Sequence, residues 1–304
     1  MESIADAVPL DSSQASARLT TRVWRQWPAL LLSLATLILY QSVLVGLVRQ
    51  WSADPNYSHG FLVPVLTGYL IWRKRNEMAA TPLCYSAMGT AFIALSLGLL
   101  FLGTLGAELF LQRISLWLMI VGLFLYFLGW SRLRVVAFPI AFLLFMIPLP
   151  AIIYNQVVFP LQLLTSHLAT SCLHLTNAVP IAREGNLLVL PNSTLEITEA
   201  CSGIRSLISL LAFSLGYGHL AETNLSMRIL LGLAAIPLAI VSNAARLIIT
   251  AVLVYYISPR AAEGLPHAMS SYVIVITAAL LLLVVHALLT WSQRRLATAR
   301  RNRS

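Results

Sequence analysis

ILLGLAAIPLAIVSNAARLIITAVLVYYI, residues 229–257, decides the fold class. The run carries a single formal charge, Arg246. A helix crossing the hydrocarbon core of a bilayer needs about 20 mostly apolar residues, and a soluble core helix rarely has so long an uncharged stretch. Moving outward, seven more apolar segments can be drawn. They cover about Pro28–Val48, Gly60–Trp72, Cys84–Thr104, Ile114–Trp130, Val135–Leu149, Ile204–Leu220 and Ser270–Trp291. The composition agrees: 59% of the 304 residues are hydrophobic and 10% are charged. Soluble domains run near 45–50% and about 25%. One soluble core cannot hide that surplus, so the expected fold class is all-α, a polytopic integral membrane bundle of about eight transmembrane helices.

The charge pattern sets the orientation. Net charge is +9, but the cations stand in short clusters between apolar runs. That placement fits topology signals rather than a nucleic-acid surface, and no nucleic acid is expected as a partner. With the N-terminus cytoplasmic, the inside loops hold Arg18, Arg22 and Arg25; Arg73, Lys74 and Arg75; Arg132 and Arg134; Arg228; and Arg294, Arg295, Arg300, Arg301 and Arg303. These are 14 of the 20 basic residues. Both termini are then cytoplasmic, with tails 1–27 and 292–304 flanking a membrane domain, 28–291. The mixed stretch 150–200, broken by Pro160, Pro180 and Pro191, faces the extracytoplasmic side between the fifth and sixth spans. It is expected to begin with an amphipathic or re-entrant helix near Asn155–Leu175. An extended piece follows, with a small hairpin around Pro191-Asn192. The polar start of the chain does not resemble a cleavable signal peptide.

Ionisable groups near or within spans are costly and mark candidate sites. Three converge on the outer ends of the last three spans. Cys201 lies in Glu199-Ala-Cys-Ser-Gly-Ile-Arg205, at the start of the sixth span. A helix N-terminus and a nearby Arg favour the thiolate, although a small packing residue would fit there too. Arg246, in Ser242-Asn243-Ala-Ala-Arg246, lies roughly 25 Å along the seventh span from Ile229, level with Cys201. It either stabilises an anion or snorkels to the outer headgroups. His267, just before the eighth span, is either a proton carrier or a solvated loop residue. Together these supply a nucleophile, an anion stabiliser and a proton shuttle. Asn243 lies about one turn from Arg246 on a similar face. The three cysteines form no CxxC pair and no metal-ligand spacing, so neither metal nor cofactor is expected.

These motifs resemble the exosortase/archaeosortase family of membrane cysteine transpeptidases. Asp54-Pro-Asn-Tyr57-Ser-His59-Gly60-Phe-Leu-Val-Pro64, followed by Tyr69 and Trp72-Arg73, resembles the family's N-terminal signature. Glu199–Arg205 resembles its cysteine motif, and Asn243-Ala-Ala-Arg246 after Ile236-Pro237 its arginine motif. The resemblance implies Cys201 as nucleophile with Arg246 and His267 as its catalytic partners. At His267 the pattern departs: Ala268 and Ser271 stand where the bacterial pattern has an acidic residue and a Gly. His59, Tyr57, Asp54, Glu199, Arg205 and Asn243 are expected around the substrate or behind the catalytic groups. Asp54 or Ser58 could instead cap the second span, and Glu199 the sixth. The implied partners are exported proteins with a C-terminal sorting signal: a short Pro-Glu-Pro-like motif, a transmembrane helix and a basic cluster. The acceptor would be a membrane lipid or another extracytoplasmic molecule. The implied location is the bacterial inner membrane, with the active site outside and no fused C-terminal soluble domain. A transporter or an assembly factor for exopolysaccharide or lipid-linked sugars, without cysteine chemistry, is the alternative.

Overall fold

The structure, a computed structural model, describes residues 27, 28, 30–196, 203–258 and 264–301, with backbone alone at 196, 264–272 and 296–301. Eleven helices in the described residues are, in order, α1 (Leu30–Leu39), α2 (Gln41–Ala53), α3 (Leu62–Arg73), α4 (Arg75–Ala80), α5 (Met88–Leu105), α6 (Leu109–Val135), α7 (Ala137–Phe142), α8 (Ala151–Thr176), α9 (Ile204–Ala221), α10 (Leu225–Tyr256) and α11 (Gly264–Arg301). Two short 3-10 helices precede α3 (Pro55–Phe61) and follow α7 (Leu143–Met146). Strands β1 (Ala182–Glu184), β2 (Leu187–Leu190) and β3 (Ser193–Glu196) lie between α8 and α9.

Five of the described helices are long and apolar enough to cross a membrane, and seven spans result if each of two bent pairs counts as one. The expected number was about eight. The sixth and seventh drawn spans match α9 and α10 closely. The second differs: its α-helical part, α3, has only 12 residues, about 18 Å long. The third span starts at Met88, leaving Cys84 in an extended lead-in. The fifth drawn span is α7 and its 3-10 turn, which meets α8 at 80°. Pro148 and Pro150 interrupt the helix there, because they remove two backbone donors and restrict the residues before them. The segment after it runs as one 26-residue helix, closed by left-handed Asn177. The expected hairpin is present: β2 and β3 pair antiparallel across Pro191-Asn192, and β1 adds a third strand.

The chain divides into two compact units. One holds Thr81–Arg134 with the described chain up to Arg49. Here Gly89, Ser96 and Gly103 form a buried small-residue seam on α5. A Cβ on Gly89 would lie 2.4 Å from the Tyr126 backbone nitrogen of α6, so these helices pack at backbone distance. Tyr40 bonds Ser96 Oγ at 2.7 Å, and that hydroxyl bonds the Ser115 carbonyl at 2.8 Å. Such pairings satisfy polar groups that lipid cannot.

The other unit holds Gln50–Ala80 and the chain from Val135. Its core is α9, α10 and α11 packed through Leu210, Met227, Leu231, Ala235, Ala239, Ala278 and Leu282. Around the far end of α10, the sheet and α8 bury Leu173, Val179, Leu188 and Leu190 against Leu247, Ala251 and Val254. Asn192 in the hairpin turn donates to the carbonyls of Val254 (3.2 Å) and Tyr255 (3.3 Å). These are end carbonyls that α10 itself cannot satisfy. Asn192→Ala should therefore lower stability by about 1 kcal/mol. Thermal unfolding in detergent checks it, and an unchanged midpoint would remove Asn192 from that role.

Candidate active site

Two helices bring the cysteine and arginine motifs to one level. The 18 residues of α9 rise about 27 Å, and Asn243 lies 18 residues along the antiparallel α10. Gly203, within the cysteine motif, has φ +84°, a left-handed conformation that admits glycine at little cost. A Cβ there would sit 2.7 Å from Asn243 Nδ2. Gly203 thus satisfies both a turn and a close approach. Its carbonyl starts α9, accepting from Leu207 N at 2.9 Å and Ser206 Oγ at 2.8 Å.

Gly203, Arg205, Ser206, Asn243 and Arg246 line one small cavity of about 10 Å³, closed by Ile274 and Val275 of α11. That volume is about enough for one water. Arg246 is 5% exposed and Asn243 2% exposed. A snorkelling guanidinium would reach outward, whereas this one is enclosed by protein beside the cysteine motif. Cys201 and Glu199 lie outside the described residues. For His267 the backbone alone is described. It sits in the first turn of α11, which starts six residues before the drawn span rather than after a loop. Its register position is seven residues, about two turns, before Ile274, on the same helical face.

The N-terminal signature meets this end of α9 through a residue that the sequence reading did not single out. Asn56 accepts from Arg205 Nε at 3.0 Å through its Oδ1, and its Nδ2 lies 3.3 Å from Tyr154 Oη on α8. Asn56 stood in the quoted signature as a polar residue between Pro55 and Tyr57, which was the available signal. Asp54 takes the capping role: its carboxylate accepts from Asn56 N at 2.9 Å and so fixes Asn56. Replacing Asn56 with Ala should free Arg205 and lower activity while sparing the α9–α10 contact. Retention of full activity with intact folding would show that this bond is dispensable.

Tyr57 and His59 do not line the Arg246 cavity. They face a separate apolar cavity of about 270 Å³, walled by Phe145, Ile147, Ile208 and Leu211. Ile208 lies one turn along α9 from Arg205. His59 Nε2 donates to the Phe145 carbonyl at 3.2 Å. Gly60 must be glycine, because a Cβ would strike the Trp51 indole at 2.4 Å. That indole donates to the Met146 carbonyl at 3.0 Å and holds the loop down.

Burial holds the His59 imidazole below its ordinary pKa, opposed by its backbone hydrogen bonds. The neutral form is therefore favoured by folding. Its stabilising contribution is complete above the unfolded value near 6.5 and is lost as pH falls through the lower folded value. Wild type should lose more stability than His59→Gln between pH 7.5 and pH 5, read from denaturation midpoints. Parallel profiles would contradict this.

Among the described residues, no group of three or more His, Cys, Asp or Glu is placed to hold a metal ion. No curated protein and no solved structure matches the chain. A family model described as transmembrane exosortase matches residues 51–284, from the Trp51 anchor through the signature, the cysteine and arginine motifs and most of α11, and the chain belongs to that family of multi-pass membrane proteins.

Proposed function

We propose that this protein is a membrane cysteine transpeptidase that cleaves C-terminal sorting signals of exported proteins and passes the new terminus to an acceptor. The observation that carries this reading is the contact of the cysteine motif with the arginine motif, Gly203 against Asn243, with Arg246 buried beside them. Family membership supports the same reading.

In this mechanism the Cys201 thiolate attacks the scissile carbonyl carbon, forming a C–S bond and an oxyanion. The Arg246 guanidinium stabilises the thiolate first and the oxyanion next, a task for which its planar donor fork is suited. The tetrahedral intermediate collapses by breaking the C–N bond, and His267 gives its proton to the departing amine. An acceptor nucleophile loses its proton to the same imidazole and attacks the thioester, breaking the C–S bond and releasing the Cys201 thiolate. Arg205, held by Asn56, sets the first turn of α9 and with it the approach of Cys201. The substrates are proteins bearing a Pro-Glu-Pro-like motif, one transmembrane helix and a basic cluster. The site opens to the extracytoplasmic side of a bacterial inner membrane.

The test is processing of a reporter with such a signal, with transport of lipid-linked sugar measured in parallel. Cleavage that requires the Cys201 thiol supports the enzyme. An activity that survives Cys201→Ala would overturn it in favour of a transporter or assembly factor.

A further inference from the structure

At the opposite end of α9, the residues make a different kind of site. A polar cavity of about 380 Å³ is lined by Arg73, Lys74, His219 and Arg228, with Glu77 and Glu222. Both carboxylates are engaged locally. Glu77 pairs with Lys74, and Glu222 accepts from His286 Nε2 of α11 at 2.6 Å. Among the described residues, neither Arg73 nor Arg228 pairs with a carboxylate. Arg228 is fixed instead by donating to the Glu222 carbonyl at 2.7 Å and to His219 Nδ1 at 3.0 Å. Because an Arg cannot accept, His219 Nδ1 is the acceptor, and the ring proton lies on Nε2 as a further donor. The ring is held flat on Phe138, with centroids 3.9 Å apart. Donors and positive charge therefore converge on this cavity.

An apolar cavity lies beside it and shares the wall residue Leu220. The second cavity, about 270 Å³, runs between α3 and α9 past Leu62, Leu66, Ser209, Phe213 and Tyr217. A cationic cavity beside an apolar groove complements a phosphate head carrying a hydrocarbon chain. A sorting signal's transmembrane helix fits less well, since its basic cluster would meet Arg73 and Arg228. We infer that Arg73, Lys74, His219 and Arg228 bind the phosphate of an anionic phospholipid whose acyl chain lies in the α3–α9 groove. On the orientation given by the basic clusters, this is a lipid of the inner leaflet. The inference goes beyond the peptidase reading and does not depend on it.

The test uses the purified full-length protein, delipidated in detergent, and chain-matched phosphatidylglycerol and phosphatidylcholine. Bound lipid per protein is counted by native mass spectrometry. Phosphatidylglycerol should be retained in preference. The Arg73→Gln/Lys74→Gln double variant should weaken its binding roughly 30-fold, about fivefold for each cation removed. Arg228 is left in place because it ties the α9–α10 turn. Ser209→Phe, which fills the groove, should also reduce retention, with Leu66→Phe as a second filling variant if the first is misfolded by gel filtration. Equal retention of both lipids would overturn the inference, as would binding unchanged in the double variant. Displacement by inorganic phosphate together with indifference to both groove fillings would reduce the site to a phosphate pocket and overturn the lipid assignment. Loss of lipid binding with reporter cleavage intact would leave the peptidase reading standing, and the converse would leave the lipid site standing.

Discussion

Removing the Arg246 charge should abolish processing of a sorting-signal reporter, with a loss on the order of 10²–10³-fold, as for the loss of one oxyanion donor. Arg246→Met is the informative variant, because it keeps most of the volume at a position only 5% exposed and avoids confusing a cavity with a lost charge. Arg246→Lys keeps the charge without the planar fork, so it should retain part of the thiol reactivity and lose most turnover. Cys201→Ser should fold and be inactive, because no strong base is available to ionise a hydroxyl. Iodoacetamide labelling across pH separates these roles, since a thiol without its cation ionises at higher pH. Cys84 and Cys172 are both free and exposed, so the measurement needs a Cys84→Ser/Cys172→Ser background. Normal processing by Arg246→Met, or an unmoved labelling profile, would sink the thiolate-partner model.

Gly203→Ala should be nearly as damaging, for a steric reason. At φ +84° an L-residue costs about 1–2 kcal/mol, and the new methyl meets Asn243 Nδ2 at 2.7 Å. Either α9 shifts away from α10 or the backbone at Gly203 changes its path. A displacement of about 1 Å at a reacting group commonly costs about 10²-fold in rate. Processing should fall by that order while the helical content stays. Adding Asn243→Ala removes the two closest contacts, with Nδ2 and Cγ, but leaves the Asn243 Cβ at 3.1 Å and the backbone strain, so stability should recover by only about 1 kcal/mol relative to Gly203→Ala. Full recovery would show that φ carries no cost here. A Gly203→Ala protein with wild-type processing would show that the turn is not fixed by this contact.

The sequence carried the helical spans and the motifs because both are local. Apolar length defines a span wherever neighbouring helices lie, and α9 and α10 begin and end within a few residues of the drawn segments. The hairpin at Pro191-Asn192 was legible from β-forming residues on either side of a turn pair. Other elements were decided by context. Pro148 and Pro150 were visible, but whether a proline pair kinks a span or turns the chain by 80° depends on what the following helix packs against.

The site shows the same division. The sequence by itself singled out Cys201, Arg246 and His267 as the candidates for chemistry, and it set Arg246 at the depth of the cysteine motif, since rise per residue is fixed by the helix. Only the tertiary structure decided that Arg246 is buried and not snorkelling, because the enclosing wall includes α11 residues Ile274 and Val275, far along the chain. It also decided that Asp54 caps a turn, that Asn56 bridges to Arg205, and that Tyr57 and His59 face another cavity. Spacing along one helix fixes depth and face. Which side chain a face meets is set by partners about 100–150 residues away, and no local pattern encodes that distance.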